Sequence, residues 1–88
     1  MKKGKLSNGF EYEIDENLIE DMEFLEDFSN EEEPFSFFRA IRRMFPGDKK
    51  KELYDFCRDP ERKIVPSEKV GEVVGMIIED AREDGKNS

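Results

Sequence analysis

Residues 67–84 read SEKVGEVVGMIIEDARED, and within them Val70, Val73, Val74, Ile77, Ile78 and Ala81 fall at i, i+3, i+4, i+7, i+8 and i+11. This is the repeat of an α-helix with a single apolar stripe along its whole length. A helix over 67–84 is therefore predicted, and it needs a covering neighbour at every turn. Gly71 and Gly75 stand four apart inside it, and each costs about 1 kcal/mol relative to Ala. Close approach of another backbone or of a bulky Phe is the expected compensation. Gly85 is expected as the C′ residue, with residues 85–88 a disordered tail.

The neighbours must come from upstream. Residues 5–14 predict a β-hairpin, with Asn8-Gly9 as a type I′ turn and Phe10, Tyr12 and Ile14 alternating with Glu11 and Glu13. An isolated two-stranded hairpin is marginal in water, so its apolar face must rest on helices. Asp15 is a candidate N-cap for a helix to about residue 28, with Leu18, Met22 and Leu25 on one stripe and Phe24 and Phe28 on a second. After an acidic link over 29–33, Pro34 suits the first turn of a second helix carrying Phe37, Phe38, Ile41, Met44 and Phe45, stopped by Pro46-Gly47. Asp48 can cap a third helix over 49–58 that buries Leu53, Phe56 and Cys57. Residues 63–65 read as extended, with Ile64 covering the core. The fold class is mainly α (α+β): a short N-terminal β-hairpin packed on a bundle of about four helices, one domain over residues 1–84.

At 88 residues the core is thin, yet Leu, Ile, Val and Phe fill 22 positions, above the roughly 20% below which highly charged chains stay disordered. The formal net charge of −8 argues against unselective nucleic-acid binding, which needs clustered Lys and Arg. Charge is also segregated. From Leu6 to Phe38 there are twelve Asp or Glu and no Lys or Arg, whereas Arg39, Arg42, Arg43, Lys49, Lys50 and Lys51 follow with only Asp48 among them. Two readings stand: the acidic face of one helix packs near the basic stretch and both stay solvated, or the segregation serves head-to-tail self-association or capture of a basic partner. The single cysteine, Cys57, allows no internal disulfide and reads as a core filler in a reducing compartment. No apolar run is long enough to span a membrane, and the N-terminus lacks the apolar segment of a signal peptide, so a cytosolic protein is expected.

No His is present, no Ser or Cys lies in a nucleophile motif, and no carboxylate spacing matches a calcium loop. The chain is therefore not expected to be an enzyme, to bind metal or to carry a cofactor. What remains is aromatic surface interleaved with charge, the composition of a protein-binding module. Phe24, Phe28, Phe35, Phe37 and Phe38 are the candidate partner-binding residues. The competing reading of each is ordinary core packing, since Phe at helical spacing usually faces inward.

The stretch Leu6-Ser7-Asn8-Gly9-Phe10-Glu11-Tyr12-Glu13-Ile14-Asp15-Glu16, with Asp21 in the following acidic helix, resembles the tail assembly chaperones of siphophages and prophages of Gram-positive bacteria. The resemblance continues through the middle helix pair, then Lys63-Ile64-Val65-Pro66 leading into Val70-Gly71-Glu72-Val73, and the tail Gly85-Lys86-Asn87-Ser88. The chain departs from that pattern at Met22, where the family often has Trp, and at 35–38, where Phe replaces a Leu-rich middle. The resemblance implies a chaperone, in the bacterial host cytoplasm, that binds and solubilises the tape measure protein during virion morphogenesis. It also implies multiple copies on the client, or a homo-oligomer, and a longer form, made by a programmed frameshift, that recruits tail tube protein. The rival reading is a small acidic regulator, an antitoxin or DNA-mimic inhibitor, that uses the carboxylates of 11–33 against a basic protein. A nucleic-acid module built on Arg39, Arg42, Arg43 and Lys49 to Lys51 is the weakest alternative.

Overall fold

The computed structural model describes residues 1–30 and 32–87. It is an α+β fold: a two-stranded antiparallel hairpin followed by four α-helices. Strand β1, Lys2–Lys5, pairs with β2, Glu11–Ile14, in the register Lys2↔Ile14, Gly4↔Tyr12 and Lys5↔Glu11. The first strand thus lies three residues earlier than expected, because Lys-Lys-Gly-Lys carries no apolar alternation to reveal it. The turn also differs from the expected type I′. Among the described residues Asn8 does not have positive φ and Gly9 does (97°), while the Leu6 carbonyl accepts from the Gly9 N–H and the Leu6 N–H donates to the Phe10 carbonyl. This longer loop has its one left-handed position at glycine, as a bulged hairpin requires. Phe10, Tyr12 and Ile14 are buried as their alternation predicts.

The expected helix from 16 to 28 is broken in two. Asp15 caps a 3-10 helix, Glu16–Glu20, by accepting from the Asn17 N–H at 3.0 Å. Asp21 then turns extended, and its carboxylate accepts from the N–H groups of Glu23 (2.9 Å) and Phe24 (3.4 Å), starting α1, Met22–Ser29. A second cap in mid-segment resets the helical phase. The stripe Leu18, Met22, Leu25 is therefore not continuous: Met22 is exposed, Leu25 is half-buried and Phe24 takes the core position.

Helix α2, Pro34–Met44, starts with Pro in its first turn and buries Ser36, Ala40, Ile41 and Met44. The next link is shorter than expected. Gly47, at φ 63°, is itself the N-cap of α3, Asp48–Cys57, so Asp48 lies inside the first turn instead of capping it. Its carboxylate remains suited to the positive end of the helix. Helix α3 buries Leu53 and Cys57 but leaves Phe56 partly exposed, against expectation. The loop that follows closes on an antiparallel bridge between Asp59 and Ile64, with Lys63 at φ 59°. Ile64 points outward, and Val65 instead packs on the core.

Helix α4, Ser67–Asn87, runs through Gly85, which is therefore not its C′ residue; Ser88 lies outside the described residues. All six stripe residues, Val70, Val73, Val74, Ile77, Ile78 and Ala81, are buried. Around them gather α3, the 3-10 helix and β1, while α1 packs on α2. Of the two glycines only Gly71 faces a Phe, and neither is tightly approached. A Cβ on Gly71 would meet the Phe37 ring at 3.9 Å, an ordinary contact, and one on Gly75 would meet nothing within 4 Å.

Candidate aromatic interface

Four of the five candidate rings form one continuous row. Phe28, near the end of α1, lies 5.8 Å from Phe37 of α2, which lies 6.3 Å from Phe38, which lies 6.0 Å from Phe35. The last two contacts are edge-on, the geometry favoured by the ring quadrupole. The row begins in the protein and ends in solvent: Phe28 and Phe37 pack against the core, whereas Phe38 is 44% and Phe35 68% exposed. Helical spacing explains the split, because Phe35 and Phe38 fall opposite the stripe Ser36, Ala40, Ile41, Met44. The fifth candidate is a correction. Phe24 is wholly buried and forms part of the core, with the Arg43 guanidinium 5.9 Å above its ring.

The acidic and basic stretches meet within the molecule. Arg43 reaches Asp21 at 2.6 Å, Arg39 reaches Asp27 at 3.4 Å and Glu33 at 3.7 Å, and Lys49 reaches Glu13 at 3.7 Å. These pairs tie α2 to α1 and α3 to the hairpin, although partly exposed pairs contribute only a few tenths to about 1 kcal/mol each. The Arg43 hydrogen bond, with help from the Glu23 and Phe24 N–H groups, holds the Asp21 carboxyl below its ordinary range. Arg39 also donates to Ser36 Oγ at 2.8 Å, which satisfies the one buried polar side chain of α2. Lys50 lies over the Tyr54 ring at 5.9 Å, and Arg42 and Lys51 project into solvent. The six basic residues therefore do not form one patch.

Besides Ile64, sequence reasoning missed the exposure of Met22 and Phe56. Met22 is 66% exposed because the break at Asp21 rotates it outward, and Phe56 packs at a tilt against Phe10, ring centroids 5.0 Å apart, yet stays partly exposed. The signal for the first was the acidic residue at 21, able to cap a new helix. Beside Phe10 an open groove of about 680 Å³ runs between the hairpin and α3. It is lined by alternating charges, Lys3, Lys5, Glu11, Glu13, Lys49 and Glu52, around Tyr12 and Phe45. Cys57 is buried, and burial pushes its thiol up, away from the reactive thiolate. Among the described residues no three His, Cys, Asp or Glu side chains are placed to hold a metal ion, and no helix is long and apolar enough to cross a membrane. No family model, curated protein or solved structure matches the chain.

Proposed function

We propose that this chain is a client-binding module of the tail assembly chaperone type, which shields apolar helical stripes of a tape measure protein until tail tube protein encloses it. The observation that carries the reading is the aromatic row that starts at Phe28 and ends at exposed Phe38 and Phe35. Rings anchored at one end and open at the other suit the apolar face of a partner helix, in the helix-in-groove manner. The net charge of −8 supports the same role by keeping a loaded complex dispersed. Several copies along one client gain avidity without any further contact. In this reading the protein works in the host cytoplasm, and a longer frameshifted form brings in the tail tube protein.

The test is co-expression with a long helical tape measure protein. The wild-type chain should hold that protein in the soluble fraction, and the double variant Phe35→Ser, Phe38→Ser should not. A client equally soluble with and without the chain removes the proposal. One observation favours the rival acidic regulator: Glu16, Glu20, Glu23 and Glu26 are all exposed. Salt separates the two. Charge-driven binding weakens sharply between about 0.1 and 0.5 M salt, where screening shortens to a few ångström, and apolar shielding does not.

A further inference from the structure

The tip of the hairpin carries two residues able to react with each other, and we propose that Asn8-Gly9 is a self-modification site whose reaction is gated by docking of the hairpin on α4. Glycine after asparagine leaves the backbone nitrogen unshielded by any side chain, and Asn8 and Gly9 are both exposed. In such a pair the Gly9 nitrogen gives its proton to hydroxide and attacks Asn8 Cγ. The N–Cγ bond forms, the Cγ–Nδ2 bond breaks, and Nδ2 leaves as ammonia after taking a proton from water. Water then opens the cyclic succinimide at either carbonyl. The product at position 8 is aspartate, or isoaspartate, in which the main chain runs through Cβ and Cγ.

The folded loop engages the nucleophile and both ends of the amide. The Gly9 N–H, which must lose its proton, donates to the Leu6 carbonyl at 2.9 Å. Asn8 Oδ1 accepts from the Phe10 N–H at 3.0 Å, and Asn8 Nδ2 lies 3.8 Å from Met76 Sδ on α4. The side chain cannot turn Cγ toward the Gly9 nitrogen without breaking these contacts. Buried Leu6 and Phe10 on either side, and the Tyr12 hydroxyl bonded to Asp80 Oδ2 at 2.7 Å, hold the loop in place. The same fold also requires the labile pair. Position 9 has φ 97°, which favours glycine, and position 8 supplies the acceptor for Phe10.

Reaction therefore runs through the minor population in which the hairpin stands off α4. Aspartate at position 8 keeps an acceptor for Phe10 but loses the donor to Met76 and adds a negative charge. Isoaspartate lengthens the main chain of the loop and shifts Leu6 against Phe10. Either product disfavours redocking, so the change marks, irreversibly, copies whose hairpin has stood open. Neither the aromatic row nor a client takes part, and the client reading stands or falls separately.

The full chain is incubated in mildly alkaline buffer, folded and in denaturing guanidinium chloride, and sampled for the mass gain of amide-to-acid exchange. Peptide mapping separates Asn8 from Asn17, Asn30 and Asn87. In denaturant Asn8 should react first of these, and in the folded chain at least about tenfold more slowly. Hydrogen exchange of the Gly9 N–H supplies the fraction of time the loop is open, and the ratio of folded to denatured rates should match that fraction within about threefold. Tyr12→Phe, which loses the bond to Asp80 and keeps the ring, should speed the folded reaction about fivefold with wild-type circular dichroism. Should that variant fail to fold, the exchange comparison on the wild type decides alone. The proposal is overturned if another asparagine reacts first in denaturant, if the two rates are equal, if the folded rate exceeds what exchange allows, or if folded Tyr12→Phe reacts no faster than wild type.

Discussion

Gly4 and Tyr12 face each other across the hairpin, and a Cβ on Gly4 would lie 2.5 Å from the Cζ and hydroxyl oxygen of the Tyr12 ring. That ring is buried, and its hydroxyl donates to Asp80 Oδ2 at 2.7 Å, so it cannot swing aside without losing a bond between the hairpin and α4. Gly4→Ala should therefore destabilise the fold by about 1–3 kcal/mol. The check is a urea titration, with the midpoint lowered and the slope unchanged. Asp21 gives a second prediction at this scale. Its carboxyl is held below its ordinary value of 3.8, chiefly by Arg43, so the folded chain binds that proton less readily than the unfolded one. The resulting stability is complete above the unfolded value and is lost as pH falls through the lower folded one. Asp59, held down by Arg62, acts in the same sense. The thermal unfolding midpoint should thus fall below about pH 4, and Asp21→Asn, which keeps a side chain able to cap α1, should flatten that part of the profile. Superimposable profiles would show that the Arg43 contact does not form in solution.

At the scale of elements, α4 was legible to the residue over its apolar stripe, because a helix spanning the whole core leaves the same face inward at every turn. Its two glycines differ. Gly71 faces the Phe37 ring, whereas Gly75 lacks any neighbour that would offset its cost, so Gly75→Ala, in open space, should stabilise the chain by about 1 kcal/mol. A loss of stability instead would mean that a neighbour approaches this turn in solution. The segment 16–28 shows the opposite case. Its apolar residues fit one continuous helix as well as two, and Asp21 decides between them through a carboxylate bonded to the N–H groups of α1 and to Arg43, 22 positions away. The partner of that bond lies on another element, and local propensity carries no record of it.

For the whole molecule the question is which rings the fold hides. Phe24 fills the core, and Phe24→Ala should cost about 3–5 kcal/mol. Phe35→Ser, Phe38→Ser should change stability by no more than about 0.5 kcal/mol per site, while abolishing client solubilisation. Chemical denaturation of the three proteins checks the contrast, and equal losses would mean that Phe35 and Phe38 are structural. Charge follows a similar logic at this scale. Segregation along the chain suggested either an internal match or a partner, and three of the six basic residues turn inward upon acids while Arg42 and Lys51 stay in solvent.

The sequence by itself determined the hairpin's apolar face, the order of the helices and the inward stripe of α4. These rest on spacing along one element, and the period of a strand or helix is a property of the local backbone. Only the tertiary structure decided that Phe24 is core while Phe35 and Phe38 meet solvent, that Met22 turns outward and that Arg43 is bound to Asp21. Each depends on the phase at which one helix resumes after another ends, and on how far a finite core extends along a helix. Both are set by neighbours distant in sequence.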